Sequence, residues 1–122
     1  MSGYVYIGGY QPAPGVLFIK GGKSSKPELR AKQYGTMLPG GLSFMRAAKV
    51  GDATKAERDL LAAIKAIDGV KSVGGEWFQC EPLMRLTVLD ELHRLGPVKQ
   101  VHTHCPVPFD EPKRWANRRR SA

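Results

Sequence analysis

The spacing of apolar residues changes period along the chain. Residues 4–10 alternate with period two, Tyr4 and Tyr6 on one side, Val5 and Ile7 on the other. Aromatic and β-branched residues dominate there, and the run predicts a strand. Pro12, Pro14 and Gly15 mark a turn over residues 11–15. Residues 16–20, V-L-F-I-K, predict a second strand antiparallel to the first. Gly21 and Gly22 predict the end of that strand and a place where backbone approaches a partner closely.

Helical spacing takes over next. Ser25 and Glu28 stand at capping-box separation with Pro27 between them, predicting a short helix to about Tyr34, stopped by Gly35. Arg30 and Tyr34 share a face of it. Residues 37–41 read as a loop and 42–50 as a third strand. Thr54 and Glu57 repeat the capping-box spacing, and the helix behind them runs to about Asp68 before Gly69. Its apolar stripe is Ala56, Leu60, Leu61, Ile64 and Ile67. Glu57 falls on the stripe or at its edge, whereas Lys55, Arg58, Asp59 and Lys65 point away.

Residues 70–75 read as a loop and 76–80 as a short strand or extended segment. A third helix is predicted over 82–95, packing mainly through Leu86, Leu89, Leu92 and Leu95, with Leu83 and Val88 at its edge. Residues 98–104 suggest one more short strand. From Cys105 onward, prolines followed by Lys113, Arg114, Arg118, Arg119 and Arg120 read as a loosely ordered basic tail over 105–122.

Composition narrows the class. A chain of 122 residues with 42% hydrophobic positions supports one domain, over residues 1–104, with a modest core. Its formal net charge of +8 favours polyanionic partners, nucleic acid or an anionic membrane surface. No apolar stretch approaches membrane-spanning length, and the N-terminus lacks the basic and apolar regions of a signal peptide. Cys80 and Cys105 are too few for a disulfide framework or a four-ligand zinc site, so a cytoplasmic protein with reduced thiols is expected.

The candidate chemistry centres on Tyr6. A phenol beside cations or a metal ion can act as a general base. Lys20, Lys23 and Arg30 are the cations at hand, and the planar fork of Arg30 suits two phosphate oxygens. Backbone N–H groups near Gly22, Lys23 and Ser24 lead into a helix start, a favourable place for an anion. Glu57 is the one acidic residue aimed toward the core side and so a candidate metal ligand, although the capping-box position alone accounts for a glutamate there. His102, His104 and Cys105 can share a strand face for zinc but lack a second ligand cluster. Trp77 and Phe78 suit a core or a stacked base.

Together these residues resemble the GIY-YIG nuclease superfamily, in its phage T5 orf172-like branch. The likeness covers about residues 4–80. Tyr4-Val5-Tyr6 is similar to the first signature and Lys20-Gly21-Gly22-Lys23-Ser24 to the second. Arg30, Glu57 and Glu76-Trp77-Phe78 stand where that branch has its arginine, its metal-binding glutamate and its late E-W-F. In two places the match departs from the pattern: Lys20 replaces the tyrosine of the second signature and Gly21 its apolar residue.

The resemblance implies an α+β fold built on a small three-stranded antiparallel sheet flanked by helices, with residues 82–104 as a helical extension. It implies an endonuclease that hydrolyses a phosphodiester of single- or double-stranded DNA with one Mg²⁺ or Mn²⁺ ion. Tyr6 then activates water, Glu57 holds the metal and Arg30 steadies the phosphate. Lys20 and Lys23 assist by charge. Ser24, Lys26, Tyr34, Arg118, Arg119 and Arg120 extend the nucleic-acid surface. The competing reading keeps the fold but makes it a catalytically inactive module that binds nucleic acid or protein. Monomer and dimer both remain open.

Overall fold

A long antiparallel hairpin forms the centre of the fold. The computed structural model describes residues 3–103. Strand β1 (Gly3–Ala13) turns at Gly15, whose φ of +83° suits glycine, into β2 (Val16–Ser24). Tyr6 pairs with Gly22, Gly8 with Lys20 and Tyr10 with Phe18. The glycine pair therefore does not end β2. Both glycines stay inside the ladder, and the strand continues to Ser24.

The expected third strand is β3 (Phe44–Val50), paired with the other side of β1. The three-stranded sheet then grows at both margins. Strand β5 (Trp77–Cys80) pairs with β2, and β4 (Lys71–Gly74) pairs with β5 in the segment expected to be a loop. Strand β6 (Val98–Gln100), shorter than expected, pairs with β3. Among the described residues the sheet has six strands in the order β4-β5-β2-β1-β3-β6. The physical reason is the unpaired N–H and C=O groups along the outer margins of β2 and β3, which the short strands satisfy.

The period-two pattern divides the sheet into two faces. Val5, Ile7, Leu17, Ile19, Ala48 and Phe78 form one buried layer. It is covered by α2 (Ala53–Lys65) through Ala56, Leu60 and Ile64, and by α3 (Arg85–His93) through Val88, Leu89 and Leu92. The other face carries Tyr6, Met45 and Ala47, packed with Ala31 and Tyr34 of α1 (Pro27–Met37) and with Leu42 and Val101. Each fully buried Leu or Ile contributes about 1.5–3 kcal/mol. The α2–α3 face, with five buried helical side chains besides Ala56, therefore carries most of the apolar stabilisation.

Neither expected capping box forms. The N-cap of α1 is Lys26, whose backbone N–H donates to Ser24 Oγ at 3.0 Å, and no side chain caps the helix. Glu28 is free to reach Lys99 instead, at 2.8 Å. The N-cap of α2 is Asp52, whose Oδ1 accepts from the Lys55 N–H at 3.1 Å. That start leaves Glu57 without a capping role. Helix α1 runs through Gly35 to Met37, and α2 stops at Lys65 rather than Asp68.

The third helix begins as a 3₁₀ turn (Pro82–Met84). That turn separates Leu83 from α3, and within α3 Leu86 lies roughly 120° around the helix from Leu92, off the stripe of Val88, Leu89 and Leu92. Val88 is fully buried, whereas Leu83 and Leu86 are 75% and 56% exposed. None of the helices described is long and apolar enough to cross a membrane.

Candidate active site

The Tyr6 side chain projects from β1 across its neighbour β2 at Gly22. A Cβ on Gly22 would collide with the Tyr6 hydroxyl and ring, so only glycine admits the phenol. Gly21, one residue earlier, faces the opposite side and receives Leu61 of α2, which would meet a Cβ there at 2.8 Å. The glycine pair thus leaves bare backbone between a phenol on one face and a helix on the other. This is the close approach that the sequence suggested, within a strand rather than after one.

Tyr34 meets Tyr6 from α1. Their hydroxyls are 3.0 Å apart and their rings are edge to face, with centroids 6.3 Å apart. Burial raises the Tyr34 phenol well above its ordinary range, and the hydrogen bond with Tyr6 raises it further. Tyr34 therefore keeps its proton throughout the physiological range. Arg30, one turn earlier on α1, lies over the Tyr34 ring with its guanidinium carbon 5.7 Å from the centroid. Its hydrogen bond to Tyr6 is the main reason its proton affinity rises. Gln33 accepts a further hydrogen bond from Arg30 Nη1 at 3.0 Å.

Lys20 stands on the same face, since it alternates with Gly22 along β2. It does not point openly at Tyr6. Its Nζ donates to Glu76 Oε2 at 2.7 Å and lies 5.9 Å from the Trp77 ring centroid. Trp77 in turn packs edge-on against Tyr34, with centroids 6.4 Å apart. The site therefore includes Glu76 and Trp77, which sequence reasoning placed in a motif without giving them a role here. Their signal was the E-W-F run. The pairing of Lys20 with Trp77 that brings the run to the tyrosines is long-range.

Lys23 and Glu57 approach from the other face. Lys23 is three residues from Lys20 on one strand, so the two point to opposite sides. Its Nζ donates to Thr54 Oγ1 at 2.8 Å, at the start of α2. Glu57 is half-buried on α2, one turn before the Leu61 that seats on Gly21. A single basic pocket of Lys20, Lys23 and Arg30 around Tyr6 does not form. The structure brings together Tyr6, Arg30, Tyr34 and Lys20, and holds Lys23 and Glu57 across the thickness of the sheet.

The two groups adjoin one open margin. Strand β5 pairs with β2 only at Leu17, Phe18, Ile19 and Lys20. Among the described residues, no strand pairs with residues 21–24 of β2 on their outer side. The glycine pair, the Tyr6 hydroxyl and the first turns of α2 lie along that margin. Ser24 uses its hydroxyl locally, on the Lys26 N–H, and Lys26 is exposed beside it. His104, Cys105, Arg118, Arg119 and Arg120 lie outside the described residues. His93 and His102 are exposed, and no three His, Cys, Asp or Glu gather to hold a metal among the described residues. No protein-family model, curated protein or solved structure matches this chain.

Proposed function

We propose that the chain is a metal-dependent endonuclease that hydrolyses DNA phosphodiester bonds. One observation carries the reading. The Tyr6 hydroxyl is met by the Tyr34 hydroxyl at 3.0 Å and by Arg30, over the glycine pair at the open margin of β2. In this reading Tyr6, in its phenolate form, takes the proton of the attacking water and becomes the neutral phenol. Tyr34 keeps its own proton and so donates to the Tyr6 oxygen while it carries the negative charge, before the transfer. The remaining N–H groups of Arg30 take phosphate oxygens and oppose the charge building on them. Lys20 and Lys23 hold the strand from the two sides of the sheet.

Glu57 is the residue that would hold the metal. No hydrogen bond or ion pair joins its carboxylate to another described residue, so its oxygens remain available. A lone carboxylate suits Mg²⁺ or Mn²⁺, which keep much of their coordination as water and substrate phosphate. When bound, the ion supplies Lewis-acid stabilisation of charge on a phosphate oxygen. The test is incubation with single- and double-stranded DNA, with and without Mg²⁺, comparing wild type with Glu57→Ala. Metal-dependent cleavage by wild type alone supports the reading, and equal cleavage by both discards the site.

A second reading has its own observation. Tyr6 is only 1% exposed and Glu57 sits on a helix behind the sheet. Both facts suit a nucleic-acid-binding module without catalysis. Gel shifts with no cleavage in Mg²⁺ or Mn²⁺, on several DNA forms, select it.

A further inference from the structure

Lys20 stands on the face of the tyrosine pair with its charge already engaged. Its ammonium is largely enclosed, with the side chain 16% exposed, while Glu76 is 45% exposed and reaches in from solvent to make the 2.7 Å contact. The charge of Glu76 extends further than that one bond. It contributes to holding the proton on Arg30 and on Tyr34. One carboxylate thus acts on the lysine, the arginine and a phenol of the same face. Gly74 and Gly75 precede it with φ of +124° and +58°, and a Cβ on either would meet nothing within 4 Å. The turn next to Glu76 therefore has open space beside both glycines, and the carboxylate itself faces solvent on its outer side.

We propose that Glu76 is a resident anion: its carboxylate occupies the place beside Lys20 that a substrate phosphate takes, and it withdraws when the phosphate arrives. A carboxylate and a phosphate oxygen accept from the same donors. While Glu76 is in place it fixes the Lys20 side chain and balances cations that otherwise repel each other. A phosphate must displace it, so stray phosphates bind this face less well than its cations alone would allow. The identity of the ligand rests on the phosphodiester reading above; the displacement itself does not require cleavage.

The experiment measures binding of fluorescent single-stranded and duplex oligonucleotides in the presence of a chelator. Wild type is compared with Glu76→Gln, Lys20→Met, the double variant and Asp68→Asn. Asp68 is exposed beyond the end of α2 and reports the general effect of removing one negative charge. Glu76→Gln is expected to bind roughly two- to fivefold more tightly than wild type, and more tightly than Asp68→Asn. In the Lys20→Met background the same change is expected to have no more effect than Asp68→Asn has. Tightening no greater than that of Asp68→Asn, equal tightening with Lys20 absent, or no binding by any variant overturns the proposal. Coupling between Glu76 and Lys20 in a protein that never cleaves with Mg²⁺ restored removes the nuclease reading and leaves this one intact.

Discussion

The Tyr6 and Tyr34 hydroxyls lie 3.0 Å apart although one belongs to the first strand and the other to the first helix. The contact joins β1 to α1, and burial together with this hydrogen bond holds the proton on Tyr34. Tyr6→Phe removes the proposed base and is expected to lower cleavage by about 10²- to 10⁴-fold. Tyr34→Phe removes one donor to that oxygen, worth about 0.5–1.5 kcal/mol, and is expected to cost about tenfold. Single-turnover rates with DNA and Mg²⁺ measure both. A larger loss from Tyr34→Phe than from Tyr6→Phe reverses the assignment.

The same pair predicts a pH dependence of stability. The folded-state pKa of Tyr34 lies above its unfolded value, so the unfolded chain loses this proton first as pH rises. Its contribution is complete below about pH 10, the ordinary phenol value, and declines as pH climbs through the higher folded value. Urea midpoints are expected to fall from pH 9 to 11 in wild type and to fall less steeply in Tyr34→Phe. Identical slopes in the two proteins remove this account.

Two glycines separate packing from propensity. Gly22→Ala places a methyl group against the Tyr6 hydroxyl, and the ring must leave its partners. A loss of about 1–3 kcal/mol is expected, with cleavage falling alongside. Gly35 lies inside α1, and a Cβ there would meet nothing within 4 Å. Gly35→Ala is expected to stabilise by roughly 0.5–1 kcal/mol. Denaturant titrations of the two variants should move in opposite directions.

Legibility in the sequence tracks the range of the interactions. Period-two alternation placed Tyr4 and Tyr6 opposite Val5 and Ile7, and helical spacing placed Arg30 on the face of Tyr34, because both depend on near neighbours. The same rule puts Lys20 and Lys23 on opposite sides of the sheet only once β2 is seen to continue to Ser24 instead of ending at the glycine pair. The strands β4, β5 and β6 each add to a margin formed far away in sequence, and short segments carry little periodicity of their own. Glu76 was legible as part of a motif, while its contact with Lys20 required knowing that β5 pairs with β2. The capping boxes failed for local reasons: Asp52 caps α2 in place of Thr54, and α1 starts at Lys26 without a side-chain cap while Glu28 pairs with Lys99.

The phase of the third helix is open to direct test. Leu92 is fully buried and Leu86 is 56% exposed, although both are expected from the sequence as main contacts. Leu92→Ala is expected to cost about 2–5 kcal/mol. Leu86→Ala should stay within about 0.5 kcal/mol. Comparable losses at both positions remove this account of which side of α3 is buried.

The sharpest prediction concerns Glu57, because it stands across the sheet from the phenol it is meant to serve. Its place is set by α2, which seats Leu61 on Gly21 while Tyr6 covers Gly22 from the other side. Only glycine backbone lies between, and β5 has already left that margin of β2. In the nuclease reading, a DNA strand laid along the margin would meet Arg30 and Tyr6 on one side and Lys23 and Glu57 on the other. Removing the carboxylate then takes away metal dependence without taking away the cations that bind the strand. Glu57→Ala is expected to lose Mg²⁺-dependent cleavage by about 10²-fold or more, while its affinity for DNA in chelator stays level or rises slightly as a negative charge is lost. Glu57→Asp, with a shorter reach, should recover part of the rate at high Mn²⁺. A Glu57→Ala protein that cleaves as well as wild type, or that fails to bind DNA at all, separates Glu57 from the chemistry of Tyr6.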